Sequence, residues 1–229
     1  MSNLNIKWLG HAGFRVSFSD PTDPSVERVV YIDTWLDNPK LPAECKGIVP
    51  DDADLVLVTH GHFDHSASAP AILKASKKEH VKIITNFEIC LHFEKFNEIS
   101  ETQTEKMNKG GSVDYGWCKV SMTPADHSSC CMCPSGDIAN GGAPAGFVVH
   151  IPHLNARIYH AGDTNVFTDM GIIEELWRPN ILLLPIGDRF TMGPEGAALA
   201  CARFFPSAKF IMPMHYGTFP LLTGTFEKF

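Results

Sequence analysis

Short apolar runs alternate with longer amphipathic or polar stretches along the whole chain. The apolar runs are too short for helices and favour strands, and the stretches between them carry helical periodicity. The predicted strands lie at residues 4–9, 14–18, 28–32, 55–58, 81–85, 119–122, 147–151, 157–160, 181–184 and 209–212. The predicted helices lie at residues 66–77, 87–93, 167–177 and 194–205. This alternation in both halves of the chain predicts an α/β fold.

Residues at the predicted helix starts strengthen several of these helix predictions. Asn86 stands where an N-cap is expected, and Ser66 or Ser68 can cap the helix that follows. Pro194 at a first helical position, with Glu195 in the first turn, marks the start of the last helix. Residues 98–111 are polar and predict at most one further helical turn, and residues 128–143 predict an irregular loop that walls a pocket.

Potential metal ligands are most concentrated directly after the strand at 55–58, in the stretch Thr59-His60-Gly61-His62-Phe63-Asp64-His65. Residues i and i+2 of an extended chain point the same way, so His60 and His62 can reach one metal ion. Asp64 and His65 lie just beyond and suit a second metal ion or a nucleophile position. Imidazole and carboxylate ligands together favour Zn, Fe or Mn over Ca or Cu(I).

Three further donors each follow a predicted strand. They are His127 in Pro124-Ala125-Asp126-His127, Asp163 in His160-Ala161-Gly162-Asp163 and His215 in Pro213-Met214-His215. Asp33 ends the third strand, where it either accepts the ring N–H of a ligand histidine or simply forms a turn. His11 either lines the pocket or closes a turn, and His153 and His160 are expected to be structural.

The pattern His-x-His-x-Asp-His after a strand resembles that of the metallo-β-lactamase superfamily, and residues 60–65 match it in full. Several flanking stretches are similar to one branch, the small metal-dependent hydrolases related to ascorbate-phosphate lactonase. These stretches are Trp8-Leu9-Gly10-His11, Leu184-Pro185-Ile186-Gly187, Thr191-Met192-Gly193-Pro194-Glu195 and His215-Tyr216-Gly217-Thr218-Phe219-Pro220. The Leu-Gly-His match favours a pocket position, and a catalytic role, for His11.

The resemblance implies a four-layer αββα sandwich with two mixed sheets, built as one domain over residues 1–229. It implies a dinuclear centre, with zinc expected first and Mn or Fe as alternatives. When the family's ligand pattern is transferred residue by residue, His60, His62 and His127 hold one ion, Asp64, His65 and His215 hold the other, and Asp163 bridges them. A hydroxide between the ions is expected to attack a small ester, lactone or phosphoester, oriented in one version of the mechanism by Asp64.

Composition narrows the class of partner. The chain of 229 residues has a net charge of −7 and a pI near 5.8, which argues against a basic face for nucleic acid or anionic lipid. No apolar run is long enough to cross a bilayer, and residues 1–7 lack the features of a secretory signal. We therefore expect a cytoplasmic enzyme with a small, anionic substrate, no nucleic-acid or membrane partner and seven free thiols. The oligomeric state is left open.

Other functions fit the residues less well. Asp163 stands where zinc β-lactamases carry Cys, which argues against β-lactam hydrolysis. An RNA or DNA phosphodiesterase of the same superfamily would need a basic groove, and a non-catalytic metal-binding module would not need all seven donors. Cys130, Cys131 and Cys133 offer a single C-x-x-C pair, so a plain loop is favoured over a separate metal or redox site.

Overall fold

A computed structural model describes residues 4–229, which divide into two compact units. The first unit comprises residues 4–108 and Ser128–Ala143, and the second comprises Lys109–His127 and Pro144–Phe229. Each unit contains a six-stranded mixed sheet. The expectation of a single domain over residues 1–229 stays a prediction.

The strands and helices are short. The strands are β1 (Asn5–Trp8), β2 (Phe14–Ser19), β3 (Glu27–Ile32), β4 (Leu55–Leu57), β5 (Lys82–Asn86), β6 (Thr104–Met107), β7 (Ser112–Asp114), β8 (Lys119–Pro124), β9 (Cys130–Met132), β10 (Ile138–Asn140), β11 (Ala145–Ile151), β12 (Ala156–His160), β13 (Ile181–Pro185) and β14 (Phe210–Met214). The helices are α1 (Phe63–Ser66), α2 (Ala69–Ala75), α3 (Phe87–Asn97), α4 (Met170–Trp177) and α5 (Pro194–Phe204). Among residues 4–229, no helix combines the length and apolar character needed to span a bilayer.

The sheet of the first unit has the strand order β1-β2-β3-β4-β5-β6. β1, β2 and β3 pair antiparallel, and β3 to β6 pair parallel. The central strand β4 is buried along its whole length, as expected for a strand between parallel neighbours. Its middle residue, Val56, packs in a core with residues of α2 and α3, including Ile72, Leu73 and Ile89.

The sheet of the second unit has the order β14-β13-β12-β11-β8-β7. β7, β8, β11 and β12 pair antiparallel, and β12, β13 and β14 pair parallel. The predicted hairpin is therefore confirmed as β11 and β12. The fully apolar β13 is buried throughout, and its core includes Ile173 of α4 and Ala197 of α5.

Three local predictions were wrong. The helix expected at 66–77 is split into α1 and α2, because Pro70 near the start of α2 favours a new helix start. Ser68 precedes α2 without making a capping hydrogen bond, and its hydroxyl instead accepts from the Leu36 amide. The expected loop 128–143 contains the antiparallel pair β9 and β10. The polar segment 98–111 does contain one helical turn, a 3₁₀ turn at Glu101–Gln103, but strand β6 follows it and was not predicted.

The loops that leave the carboxyl ends of the strands carry the donors. In the first unit, Asp33 directly follows β3, and the histidine stretch follows β4. In the second unit, His127 follows β8, Asp163 follows β12 and His215 directly follows β14. Both sheets thus place donors at the strand ends where α/β sheets usually bind ligands.

Candidate metal centre

Two imidazoles of the first unit converge just after β4. Nε2 of His60 lies 2.9 Å from Nδ1 of His62, and the ring centroids are 4.6 Å apart. Two nitrogens bound to one tetrahedral zinc at 2.0–2.1 Å would lie about 3.3 Å apart. The pair therefore fits a shared cation with a small adjustment, as the alternation of an extended chain predicts.

A buried hydrogen-bond network contacts His60 and His65 at their Nδ1 atoms and so fixes the orientation of both rings. The Asp33 carboxylate is fully buried, and it accepts from the Thr59 amide at 2.8 Å and from the Thr59 hydroxyl at 2.6 Å. Nδ1 of His65 lies 2.8 Å from the same carboxylate. Asp33 thus contacts a histidine of the motif, the first of the two alternatives drawn from the sequence.

This network also assigns the ring tautomers. Because the Thr59 hydroxyl gives its hydrogen to Asp33, its oxygen accepts from Nδ1 of His60, 3.0 Å away. Nδ1 of His65 likewise donates to Asp33. In both rings the lone pair is then on Nε2, which is the arrangement that a metal ligand needs.

Asp64 and His11 form a second contact within the first unit. Nε2 of His11 lies 2.9 Å from Oδ2 of Asp64, and Nε2 of His65 lies 3.9 Å from the same oxygen. One ligand atom from each of these three residues lies within 4.8 Å of the others. His11 is completely buried, and its contact with Asp64 places it against the motif, whereas its position in a pocket stays a prediction.

Gly61 is required between the first two histidines by a close approach of backbone. A side chain there would place its Cβ 2.6 Å from the Cys130 carbonyl oxygen and 2.7 Å from Sγ of Cys131. The Gly61 amide donates to the Ser129 hydroxyl, which in turn donates to the Gly141 carbonyl. The β9–β10 hairpin therefore supports the loop that carries His60 and His62, and burial raises the pKa of the Cys131 thiol to about 11.

In the second unit, two histidines approach one carboxylate oxygen. Oδ2 of Asp163 lies 2.9 Å from Nε2 of His215 and 3.7 Å from Nε2 of His127. Asp163 and His215 are almost completely buried. A carboxylate held between two imidazoles has the chemistry of a bridging metal ligand.

Hydrogen bonds hold the loops that carry these donors. The Asp126 amide donates to the Thr164 hydroxyl at 2.9 Å, which joins the His127 loop to the Asp163 loop. Nδ1 of His160 accepts from the Gly162 amide at 3.2 Å, so His160 packs in its strand as expected. The pKa of the neighbouring Tyr159 is raised by complete burial, which keeps that phenol neutral.

Unusual backbone conformations occur at three of these positions. His11, Asp33 and His215 have positive φ angles of 52°, 43° and 57°, a region that non-glycine residues rarely adopt. Such strain persists where the surrounding structure holds it, and it is common at binding and catalytic sites. Glycine at 187 allows the close approach of the His215 carbonyl oxygen.

The predicted donors fall into two sets. His60, His62, Asp64 and His65 belong to the first unit, and His127, Asp163 and His215 belong to the second. Sequence reasoning assigned no role to Thr59 or Thr164. A hydroxyl directly before the motif and another directly after Asp163 were the available signals, but threonine at a strand end is too common to stand out.

Comparisons with known proteins complete the description of the site. A family model described as "Beta-lactamase superfamily domain" matches residues 28–216. A UPF0173 metal-dependent hydrolase of Solibacter usitatus is 43% identical over 222 residues, covering 96% of this chain and 88% of that protein. A UPF0173 metal-dependent hydrolase of Rubrobacter xylanophilus is 42% identical over 230 residues, covering 100% of this chain and 88% of that protein.

A solved structure shows the same fold. Igni18, described as a metallo hydrolase of the archaeon Ignicoccus hospitalis, superposes with a TM-score of 0.77 at 29% identity. The match covers 97% of this chain and 86% of the chain of Igni18.

Proposed function

Since this chain belongs to the beta-lactamase superfamily and is a metal-dependent hydrolase, we propose that it cleaves a small ester, lactone or phosphoester at a two-metal centre. The resemblance to the metallo-β-lactamase superfamily and the metallo-β-lactamase fold, with its two mixed sheets and helices, are confirmed. The resemblance to the branch related to ascorbate-phosphate lactonase stays a prediction. The number and identity of the ions and the kind of substrate are parts of the proposal.

The proposed ligand sets follow the family pattern. His60, His62 and His127 bind one divalent ion, and Asp64, His65 and His215 bind the other. Asp163 bridges the two ions. Zinc suits these imidazole and carboxylate ligands, and Mn or Fe would also be accepted.

The observation that carries the proposal is the position of Asp163 within the second unit. Its Oδ2 atom lies close to Nε2 of both His127 and His215, which the proposal assigns to different ions. A bridging carboxylate must face ligands of both ions at once. An aspartate with a purely structural role would have no need to sit between two imidazole nitrogens.

The first unit gives independent support. The contact between His60 and His62 fits one shared ion, and the Asp33–Thr59 network orients His60 and His65 through their Nδ1 atoms. Residues that orient ligands in this way raise ligand basicity and typically change metal affinity 10–100-fold when replaced. Such an arrangement is expected of a working metal site.

When bound, two divalent ions lower the pKa of a water molecule toward about 7 and stabilise negative charge that develops on the substrate. The chain's own residues position the groups around them. His11 holds the Asp64 carboxylate by its contact at 2.9 Å, and so restricts the carboxylate to one orientation. We assign His11 and Asp64 the catalytic roles of orienting the attacking oxygen, with Asp64 also a ligand.

The test combines metal analysis with a substrate panel. Purified protein would be assayed against lactones, phosphodiesters and thioesters, with and without a chelator. The proposal expects hydrolysis of at least one ester class, loss of activity with chelator and recovery when zinc is restored. Hydrolysis that is unaffected after complete metal removal would contradict it.

Asp163→Ala tests the bridge, and Asp169→Ala is a matched control. Asp169 is an exposed aspartate of the same unit that makes no capping hydrogen bond to α4. Asp163→Ala should lower both metal content and turnover, whereas Asp169→Ala should lower neither. Equal effects of the two variants would remove the bridging role of Asp163.

A further inference from the structure

A recess in the first unit lies beside the metal-binding loop. It has a volume of about 240 Å³, and its lining includes Gly61, Phe63, Ala67, Pro70, His92 and Met132. We call it the Phe63 recess. A cavity of about 150 Å³ is enough to hold benzene, so the recess can hold a substituted phenyl ring or a short alkyl chain.

The lining combines large apolar side chains with the uncharged polar groups of Ser66, His92 and Asn97, and it is partly open to solvent. Phe63 is 51% exposed and Met132 is 53% exposed, although both line the same concave surface. Single exposed apolar side chains are ordinary on a protein surface. Two large ones that face one recess form a site where an apolar ligand group would be removed from water.

The recess has no formal charge in its lining. Among residues 4–229, those that line it include no Asp, Glu, Lys or Arg. His92 is half-buried, and burial lowers its pKa below the ordinary value, which keeps it neutral at pH 7. The recess therefore suits an uncharged group.

His92 adds one polar feature. Its Nδ1 atom is buried and has no hydrogen-bond partner among the described residues. A buried polar atom without a partner carries a desolvation cost that a ligand can offset. A hydroxyl or carbonyl on an otherwise apolar ligand group would do so after a rotation of the His92 ring that opens Nδ1 to the recess.

Two residues of the histidine stretch, Gly61 and Phe63, line the recess and connect it to the donors of the same unit. Phe63 stands between His62 and Asp64, and its ring centroid lies 5.4 Å from that of Trp35. The Trp35 ring also contacts His11, with centroids 5.5 Å apart. A substrate held near Asp64 can thus extend along Trp35 and Phe63 into the recess.

We propose that the Phe63 recess receives an uncharged, apolar substituent of the substrate, and that His92 gives it one hydrogen bond. The inference rests on the hydrolase function proposed above and defines its substrate class further. The substrate carries its scissile bond at the donors and a group of phenyl or short alkyl size beside it. An anionic group, if the substrate has one, lies outside this recess.

Binding is tested first, because it does not depend on turnover. Metal-loaded protein with ¹³C-methyl-labelled methionine would be titrated with benzyl alcohol, and the Met132 resonance would be followed. We expect a saturable shift in the wild type. Ala67→Leu should abolish it, because Ala67 is exposed, lines the recess and can be enlarged without disturbing the core.

Ala71→Leu is the matched control, since Ala71 is an exposed alanine on α2 that does not line the recess. It should bind benzyl alcohol as the wild type does. His92→Leu should remove the preference for benzyl alcohol over toluene, because a hydroxyl can donate to or accept from Nδ1 in either tautomer. No saturable shift in the wild type, or the same shift in Ala67→Leu, would overturn the proposal.

Hydrolysis of 4-nitrophenyl acetate, butyrate and hexanoate is the second test. Each methylene that enters the recess should raise kcat/KM about fourfold, which corresponds to about 0.8 kcal/mol. Ala67→Leu should lose this increase and Ala71→Leu should keep it. Saturable benzyl alcohol binding with no ester hydrolysis would refute the hydrolase assignment for esters, whereas hydrolysis with no dependence on chain length would refute the recess.

Discussion

Replacement of Asp33 by Asn tests whether the buried network behind His60 and His65 sets metal affinity. The carboxylate accepts three hydrogen bonds, from the Thr59 amide, the Thr59 hydroxyl and Nδ1 of His65. An asparagine of the same shape has one acceptor oxygen, so its NH₂ group must face at least one of these donors. The histidine would then lose its fixed tautomer, or Thr59 would lose a partner.

The expected magnitude follows from the number of contacts. Loss of an orienting partner lowers metal affinity about 10–100-fold, or about 1.4–2.7 kcal/mol. A buried donor left without an acceptor also costs about 1–3 kcal/mol of folding stability. Asp33→Asn should therefore weaken zinc binding in a chelator competition assay and lower the free energy of unfolding of the metal-free protein in urea.

Asp54→Asn is a control that separates the loss of zinc affinity from the loss of folding stability. Asp54 is a buried carboxylate of the same unit that accepts from the Val29 amide and from Arg28, away from the donors. It should lose a comparable amount of stability with little change in zinc affinity. The reasoning is refuted if Asp33→Asn binds zinc as tightly as the wild type, or if Asp54→Asn weakens binding equally.

Three further predictions concern the first unit. Hydrogen bonds from the Thr22 hydroxyl and amide, and from Arg28, hold the pKa of Asp20 well below its usual range. The ionised Asp20 carboxylate therefore stabilises the folded state at pH values above its unfolded pKa near 3.9, and this contribution is lost as the pH falls toward the folded pKa. Asp20→Asn should then cost about 1–3 kcal/mol in urea denaturation at pH 7, and the gap to the wild type should narrow between pH 4 and pH 2; a constant gap would contradict this. Asn86→Ala should lower the free energy of unfolding in urea by about 2–3 kcal/mol, because Asn86 caps α3 through the Ile89 amide and also donates to the carbonyls of Gly141 and Ala143. A loss below about 0.5 kcal/mol, which is the ordinary effect of a surface substitution, would contradict this prediction. Because burial raises the pKa of Cys131 to about 11, iodoacetamide at pH 7.5 should modify the half-buried Cys130 and Cys133 first, as read by peptide mass spectrometry.

The central strands could be predicted because burial dictates their composition. β4 and β13 lie between parallel neighbours, and their apolar runs are visible without any structural knowledge. The last helix was equally clear, since Pro194 marks its start. β4 leads into His60, and the predicted strand at 157–160, observed as β12, leads into Asp163, so both strand-end positions followed from the pattern.

The edge strands could not be predicted in this way. β6 and β7 each lie at the edge of a sheet, and their sequences Thr-Glu-Lys-Met and Ser-Val-Asp are polar. Charged edge strands discourage pairing with other chains, and the same charges hide them from the hydrophobic pattern. β9 and β10 have three residues each, too few for an alternation to appear.

The candidate site likewise has features that could be predicted from the sequence and features that could not. The motif at 60–65 and the family resemblance singled out the proposed donors of both units, because their residue types and order are specific, and their role as metal ligands stays a prediction. The network of Thr59 with Asp33, and the contact of His11 with Asp64, depend on how loops from distant parts of the chain pack. No local pattern encodes such contacts, so only the structure shows which atoms meet.

The number of metal ions bound per chain is the sharpest test of the proposed two-metal centre. Native mass spectrometry of protein reconstituted with zinc would count the ions, and elemental analysis of the same sample would identify them. We expect two ions per chain in the wild type and fewer in Asp163→Ala. A wild-type protein that binds one ion or none, or an Asp163→Ala variant that retains two, would contradict the proposed two-metal centre.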